Sequence, residues 1–423
     1  MLYATLVLLI PMILTGIGTL LNIYLTGGQV AFKLLIISLV AIGAVIAILF
    51  IPRKIVLSPR FAIVFHILNI LLLLGTFLLG PTVANTKRWL YFGSFTFQPT
   101  EMFKVSFILM AAHILASPFF DFKNKKSVFL TLALLLAPLL IIFLQPDAGN
   151  FILLFIILLS MLLSYAIEHK YININHVFAL SVLVIIYIAS IFIRPAIILV
   201  LPAAFLLRQH LFSKESIVST LVIHLLLVSF VLFLVFYKKL PILHEYQKQR
   251  IETFTAILDP SKNLIERIQE QEENNFNLQQ ARIAIGSAGL TGKGLNQATQ
   301  SKLKFLPEFR TDFTYAAFTE AFGLTGSIVL LTLYMTLLFV ILLYPEPNRF
   351  VFYLKIGIFT LLFGEIVVAI GSNLGLLPTK GLPLPFIGYG GTYLIAHYML
   401  LAILIKAGGG NRTHNLPLTK GAL

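Results

Sequence analysis

Apolar runs long enough to cross a bilayer recur from one end of this chain to the other, and they dictate its class. They lie at approximately 3–25, 34–51, 61–81, 102–117, 128–144, 150–167, 176–193, 195–207, 217–237, 314–344, 352–374 and 392–406. About 20 apolar residues cross the hydrocarbon core as one helix, which satisfies its own backbone hydrogen bonds. The expected fold is therefore an all-α polytopic membrane protein, a helical bundle of about 10–12 transmembrane helices. Charge content points the same way. Asp, Glu, Lys and Arg make up 11% of the 423 residues, too few to cover a water-soluble fold of this size. A disordered chain would be poor in apolar residues, and this one is 58% hydrophobic. The pair 176–193 and 195–207, divided only by Arg194, reads as a hairpin or as one broken helix. The apolar start, Met1 to Leu21, has no basic flank and reads as a retained first helix rather than a signal peptide.

The formal charge of +14 reads first as basic cytoplasmic loops and second as attraction for an anionic lipid-linked ligand; nucleic acid is not implied. With the N-terminus inside, the inner loops carry Arg53, Lys54 and Arg60, then Lys123, Lys125 and Lys126, then Lys170, then Arg208 and Lys214, then Arg349, and the tail carries Lys406, Arg412 and Lys420. This is the alternation of the positive-inside rule, which counts short loops only. The long segment 238–313 then lies outside, with eleven Lys+Arg and nine Asp+Glu. We expect one polytopic domain over 1–407, with 238–313 as a large extracytoplasmic loop and 408–423 as a disordered cytoplasmic tail. The chain has no cysteine, which removes disulfides, thiolate metal sites and thiol nucleophiles together.

On this topology several polar clusters share the outer boundary: Lys87-Arg88-Trp89, Gln98 to Lys104, Gln145-Pro146-Asp147, Leu306 to Asp312, and Leu377 to Phe386 with Lys380. Asp312 just precedes an apolar run, so it reads either as a helix cap or as a general base or metal ligand facing a cavity. Glu101 and Lys104, at i and i+3, read as an ion pair that shapes a cavity. Lys87 and Arg88 read equally as headgroup anchors beside Trp89 or as holders of a diphosphate. Glu320 and Glu365 fall inside apolar runs, where an ionisable side chain faces a cavity or a partner. The glycines at 286, 289, 292 and 294 do not make a phosphate loop, because Ser287 and Gly294 stand where that motif needs Gly and Ser or Thr. No nucleotide site is expected.

At these clusters the chain resembles the SEDS family, the RodA/FtsW/SpoVE group of bacterial cell-wall proteins. The resemblance rests on Lys87-Arg88-Trp89, Gln98-Pro99-Thr100-Glu101 with Lys104, Gln145-Pro146-Asp147, Ile283 to Ser287, Gly292-Lys293-Gly294, Leu306-Pro307-Glu308 with Thr311-Asp312-Phe313, and Leu377 to Phe386 before Tyr389-Gly390-Gly391. Tyr246 to Ile251 and Thr299 to Leu303 are more similar to the RodA, or elongation, branch. The chain departs from the family at Arg310, Ala321, Ala369 and Gly388, and in an apparent inserted helix pair over 176–212.

The resemblance implies a peptidoglycan glycosyltransferase of the bacterial cytoplasmic membrane that polymerises lipid II on the extracytoplasmic face. It implies a class B penicillin-binding protein and other elongation-complex membrane proteins as partners. Asp312 falls on the family's essential aspartate and is the expected general base. Lys87, Arg88, Gln98, Glu101, Lys104, Asp147, Glu308, Glu320 and Lys380 are the expected substrate-binding residues. A divalent cation, Mg²⁺ or Mn²⁺, suits a site of few carboxylates plus substrate phosphates. Two other functions fit the same residues: a flippase for lipid-linked precursors, and a non-catalytic scaffold in which Asp312 is only a cap.

Overall fold

Apolar composition makes a helix cross the membrane, but polar residues at its ends decide where it starts. In a computed structural model, which describes residues 2–26, 28–83, 86–93, 95–171, 276–306, 308–377 and 381–409, nine helices are long and apolar enough to span a bilayer. They are α1 (Leu2–Thr26), α2 (Gly28–Phe50), α4 (Pro59–Leu79), α5 (Pro99–Ala116), α6 (Lys125–Leu144), α7 (Ala148–Glu168), α10 (Thr314–Leu342), α11 (Arg349–Asn373) and α12 (Gly391–Gly408). Shorter helices α3 (Arg53–Val56), α8 (Phe276–Gly286) and α9 (Thr299–Lys302) lie between them, as does a hairpin of β1 (Leu90–Phe92) and β2 (Phe95–Phe97). Each of the nine spans coincides with an apolar run read from the sequence. The runs at 176–193, 195–207 and 217–237, the 176–212 pair, the loop up to 275, Lys380 and the tail from 410 lie outside the described residues.

Several helices start two or three residues before the apolar run does, at a cap. Ser58 Oγ accepts from Phe61 N ahead of Pro59, and Asn124 Oδ1 accepts from Lys126 N and Ser127 N. Asn348 Oδ1 accepts from Val351 N at 3.0 Å. These side chains satisfy N–H groups that the first helical turn leaves unpaired.

The bundle is organised on α5. Fifteen of its eighteen residues are buried, and it packs against α4, α7, α11 and α12. It is also the least apolar span. A helix surrounded by protein need not be apolar on every side, so α5 carries the buried polar side chains Thr100, Glu101, Lys104 and Ser106. Helices such as α2 and α4 show lipid a wide face of Leu, Ile and Val.

Contacts fix which segments share an end. At one end Arg53 Nη2 donates to Ala407 O (2.6 Å) and Lys406 Nζ to Ile48 O (2.9 Å). Arg349 pairs with Glu168 at 2.9 Å there, and Lys355 Nζ donates to Leu342 O at 2.9 Å. Tyr171 donates to Asp121 at 2.5 Å; this bond and the Lys123 amide hold the Asp121 carboxyl below the usual carboxylate range. The short-loop cations Arg53, Lys54, Arg60, Lys123, Lys125, Lys126, Lys170, Arg349 and Lys406 gather at this end. The opposite end collects 80–83, 86–93, 95–98, 145–148, 308–313, 373–377 and 381–391.

Candidate active site

Asp312 sits in a tight loop at that opposite end. Glu308 adopts a left-handed conformation (φ 53°), and its carbonyl accepts from Thr311 N (3.1 Å) and Phe313 N (3.2 Å). The exposed Glu308 carboxylate accepts from Thr311 Oγ1 at 3.0 Å. The N-cap of α10 is Phe313, not Asp312, and its buried ring cannot cap. The N–H of Ala316 is satisfied from another helix, by Asn373 Oδ1 at 2.9 Å. Asn373 Nδ2 donates in turn to Asp312 O at 2.7 Å, and Tyr389 N donates to Arg310 O at 2.7 Å. The Asp312 backbone is thus tied to the α11–α12 segment on both sides. Its half-buried carboxylate lies against Gly381, with Oδ2 3.5 Å from where a Cβ there would stand.

The segment facing Asp312 is itself anchored. Leu382, Leu384, Phe386 and Ile387 are buried. Tyr334 donates to Pro385 O at 2.5 Å, and Phe386 meets the rings of His397 and Tyr398 edge-on. Tyr393 Oη lies 2.8 Å from Pro383 O and 2.9 Å from Glu365 Oε2. Through Tyr393 the segment joins a buried charge network. Lys104 Nζ is 2.9 Å from both Glu101 Oε2 and Glu365 Oε1, and His397 Nε2 is 2.6 Å from Glu365 Oε2. Glu101, Lys104 and Glu365 have side chains no more than 4% exposed. As read from the sequence, Glu101 and Lys104 pair. Both are enclosed and partnered within the protein.

Lys87, Arg88, Gln98 and Asp147 form a second knot. Lys87 Nζ donates to Leu78 O (3.2 Å) at the end of α4. Arg88 Nε donates to Gln145 O (3.0 Å), its Nη2 to Pro146 O, and its Nη1 lies 3.9 Å from Asp147 Oδ1. Gln98 Nε2 donates to Asp147 Oδ2 at 3.5 Å, and Asn150 Nδ2 to the same oxygen at 2.9 Å. Cations at helix C-termini meet unpaired carbonyls and the negative end of the dipole. Both basic side chains are therefore engaged with helix ends. Arg88 is only 20% exposed, so the diphosphate role expected for it would require exchange of these bonds.

Glu320 closes a third knot. It is fully buried. One oxygen accepts from Lys293 Nζ (3.0 Å) and Gln300 N (2.9 Å), the other from Ser301 N (3.1 Å) and Ser301 Oγ (2.9 Å). Glu320 is therefore fully engaged within the protein, where it anchors the loop at 293–301 to α10. The long run read as one helix is in fact broken at Gly323 (φ 69°, ψ −166°). There the chain takes bonds from the loop: Lys293 N to Glu320 O, Gly294 N to Ala321 O, Leu324 N to Gly289 O and Thr325 N to Leu290 O, all 2.9–3.0 Å. Non-helical backbone in a membrane span persists only where protein satisfies it.

Gly323 and Gly292 meet backbone to backbone, with no space for a Cβ on either. Only glycine adopts the Gly323 conformation readily. Gly323→Ala is expected to cost at least ~1–3 kcal/mol from the backbone conformation alone. Thermal unfolding of the purified protein should show a lower midpoint; an unchanged midpoint would count against the clasp.

Among the described residues no three His, Asp or Glu side chains converge as metal ligands. Glu320 and Glu365 are taken by internal partners. Among the described residues the donor set therefore does not make up a resident cation site. The sequence did not single out Asn373, Tyr393 or His397, and named Tyr389 only within the Tyr389-Gly390-Gly391 stretch. The sole signal was an Asn closing an apolar run ahead of Gly375, which reads locally as a helix end.

The chain is similar to the peptidoglycan glycosyltransferase MrdB of Escherichia coli (strain K12), 29% identical over 358 residues that cover 84% of this chain and 78% of the relative. Its fold matches a chain from a solved peptidoglycan synthase complex that coordinates polymerization and crosslinking, with a TM-score of 0.64, 19% identity and coverage of 95% and 96%. It also matches the crystal structure of the Thermus thermophilus rod shape determining protein RodA, with a TM-score of 0.56, 18% identity and 95% of each chain covered. The family model FTSW_RODA_SPOVE, described as a cell cycle protein, matches residues 1–205 and 200–412. That is nearly the whole length, and the chain belongs to this family.

Proposed function

We propose that this protein is a peptidoglycan glycosyltransferase that polymerises lipid II, with Asp312 as the general base. The observation that carries the assignment is the state of Asp312. It is partly exposed at the end of the bundle opposite the basic loops, it is not the N-cap residue of α10, and its backbone is tied on both sides. A carboxylate placed in this way can take the proton from an attacking sugar hydroxyl. The freed oxygen attacks the anomeric carbon of the donor. The bond from that carbon to the diphosphate oxygen breaks, and undecaprenyl diphosphate leaves with the electron pair. Base assistance of this kind is worth ~10²–10⁴-fold.

The site then faces outward from the bacterial cytoplasmic membrane, where lipid II and a class B penicillin-binding partner would meet it. Cations stabilise a leaving diphosphate. The outer-end cations Lys87 and Arg88 have that chemistry once they release their helix ends. The scaffold reading makes Asp312 a cap, which does not agree with Phe313 at that position. The test is polymerisation of purified lipid II by the protein with its cognate partner, wild type beside Asp312→Ala. Near-normal polymer from Asp312→Ala would reject the assignment.

A further inference from the structure

We infer that Asn373 is a positioning residue for Asp312, an inference that rests on the role proposed for Asp312 above. Asn373 closes α11 and is fully buried. Its side chain is almost fully used, and two of its three bonds go to the other helix. Nδ2 donates to Asp312 O (2.7 Å) and to Ala369 O (2.7 Å), while Oδ1 accepts from Ala316 N (2.9 Å).

The reason for this arrangement lies in α10. A helix starts with N–H groups that have no partner within it. A polar N-cap side chain normally takes one of them. Here the N-cap is Phe313, a buried ring, so the amide of the third helical residue would be stranded in the protein interior. Asn373 supplies the missing oxygen from across the bundle. The same planar amide, through its nitrogen, holds the carbonyl of the residue that carries the carboxylate. One side chain therefore fixes both the start of α10 and the backbone from which the Asp312 side chain projects.

This clasp also sets Asp312 relative to the segment in front of it. Just past Asn373, Leu376 N (2.8 Å) and Leu377 N (3.1 Å) donate back to Gly371 O. The chain returns at Gly381 against the carboxylate and crosses again where Tyr389 N binds Arg310 O. Asn373 and Tyr389 thus bracket the facing segment and pin Arg310 and Asp312 to the frame that carries it. Misplacement of a catalytic group by about 1 Å can cost ~10²-fold, so a lost clasp reads out in turnover before it reads out in binding.

The test uses the full chain with its penicillin-binding partner and lipid II. Asn373→Ala removes both halves of the clasp. Asn373→Asp keeps an acceptor for Ala316 N and loses the donor to Asp312 O. Both are expected to lower kcat by ~10- to 100-fold with KM for lipid II nearly unchanged. Tyr353→Phe serves as control; it removes a bond to Glu168 at the opposite end and should leave kcat unaltered. Wild-type kcat in both Asn373 variants, beside an inactive Asp312→Ala, would overturn the inference. So would a fall in kcat that only follows the folded fraction. If Asp312→Ala itself polymerises normally, the function assigned to Asp312 fails instead, and a second measurement judges Asn373. The chain has no cysteine, so Asp312→Cys gives a single label site. Its rate of reaction with a membrane-impermeant maleimide should change several-fold when Asn373→Ala is added; an identical rate would overturn the placement.

Discussion

Asp312→Asn should reduce polymerisation of lipid II by ~10²–10⁴-fold while the protein inserts, folds and holds its partner as before. The substitution keeps the size of the side chain and removes its capacity to accept a proton. Several interactions that build the loop are made at its backbone: Asn373 to Asp312 O, Tyr389 to Arg310 O, and Thr311 N and Phe313 N to the Glu308 carbonyl. None of them changes. A cap role for the side chain would give the opposite pattern: Asn caps as well as Asp, so Asp312→Asn would keep both stability and synthesis, and only Asp312→Ala would lose ~1 kcal/mol. Product length on gels, measured beside a thermal unfolding curve for each protein, separates the two. Full-length glycan strands from Asp312→Asn at the wild-type rate would end the assignment of this residue as base.

What could be read from the sequence follows from the range of the forces involved. Burial in lipid is a property of each run of about twenty residues, so all nine described spans were legible. Their first turns were not, because Ser58, Asn124 and Asn348 are polar and fall outside a hydropathy window. The Glu101–Lys104 pair was legible because i and i+3 share a helix face. Its partners Glu365 and His397 lie on α11 and α12, and no local pattern joins them to α5. The break at Gly323 sits between Phe322 and Leu324, inside an unbroken apolar run. The bonds that compensate it come from Gly289 to Gly294, about thirty residues earlier. Glu320 was read as facing a cavity or a partner, and its partners, Lys293 Nζ, Ser301 Oγ and two backbone amides, lie in the loop before α10. Asn373 is the extreme case: nothing near residue 373 refers to 312 or 316. For Lys87 and Arg88 the sequence left two readings level, and the structure engages both side chains with helix C-termini.

Lys104→Met is the substitution expected to destabilise the protein most, by ~3–5 kcal/mol. Lys104 is the one lysine between two buried carboxylates, 2.9 Å from each. Without it Glu101 loses its lysine partner in an enclosed interior and Glu365 is left with His397 as its cation partner; an unpaired buried charge is far costlier than the pair was worth. Neutralising the carboxylates should therefore undo most of the damage. Lys104→Met with Glu101→Gln and Glu365→Gln is expected to unfold much nearer the wild-type temperature than Lys104→Met alone. Function need not return with stability. Glu365 Oε2 also meets Tyr393, whose hydroxyl lies against Pro383 in the segment that faces Asp312. Loosening that corner shifts the segment relative to the base, so the triple variant should fold well and still polymerise more slowly than wild type. Differential scanning fluorimetry and lipid II turnover on the same preparations test both halves. A Lys104→Met protein that melts with the wild type would show that the network is not held by its charges, and that the facing segment is anchored by packing of Leu382, Leu384 and Phe386 alone.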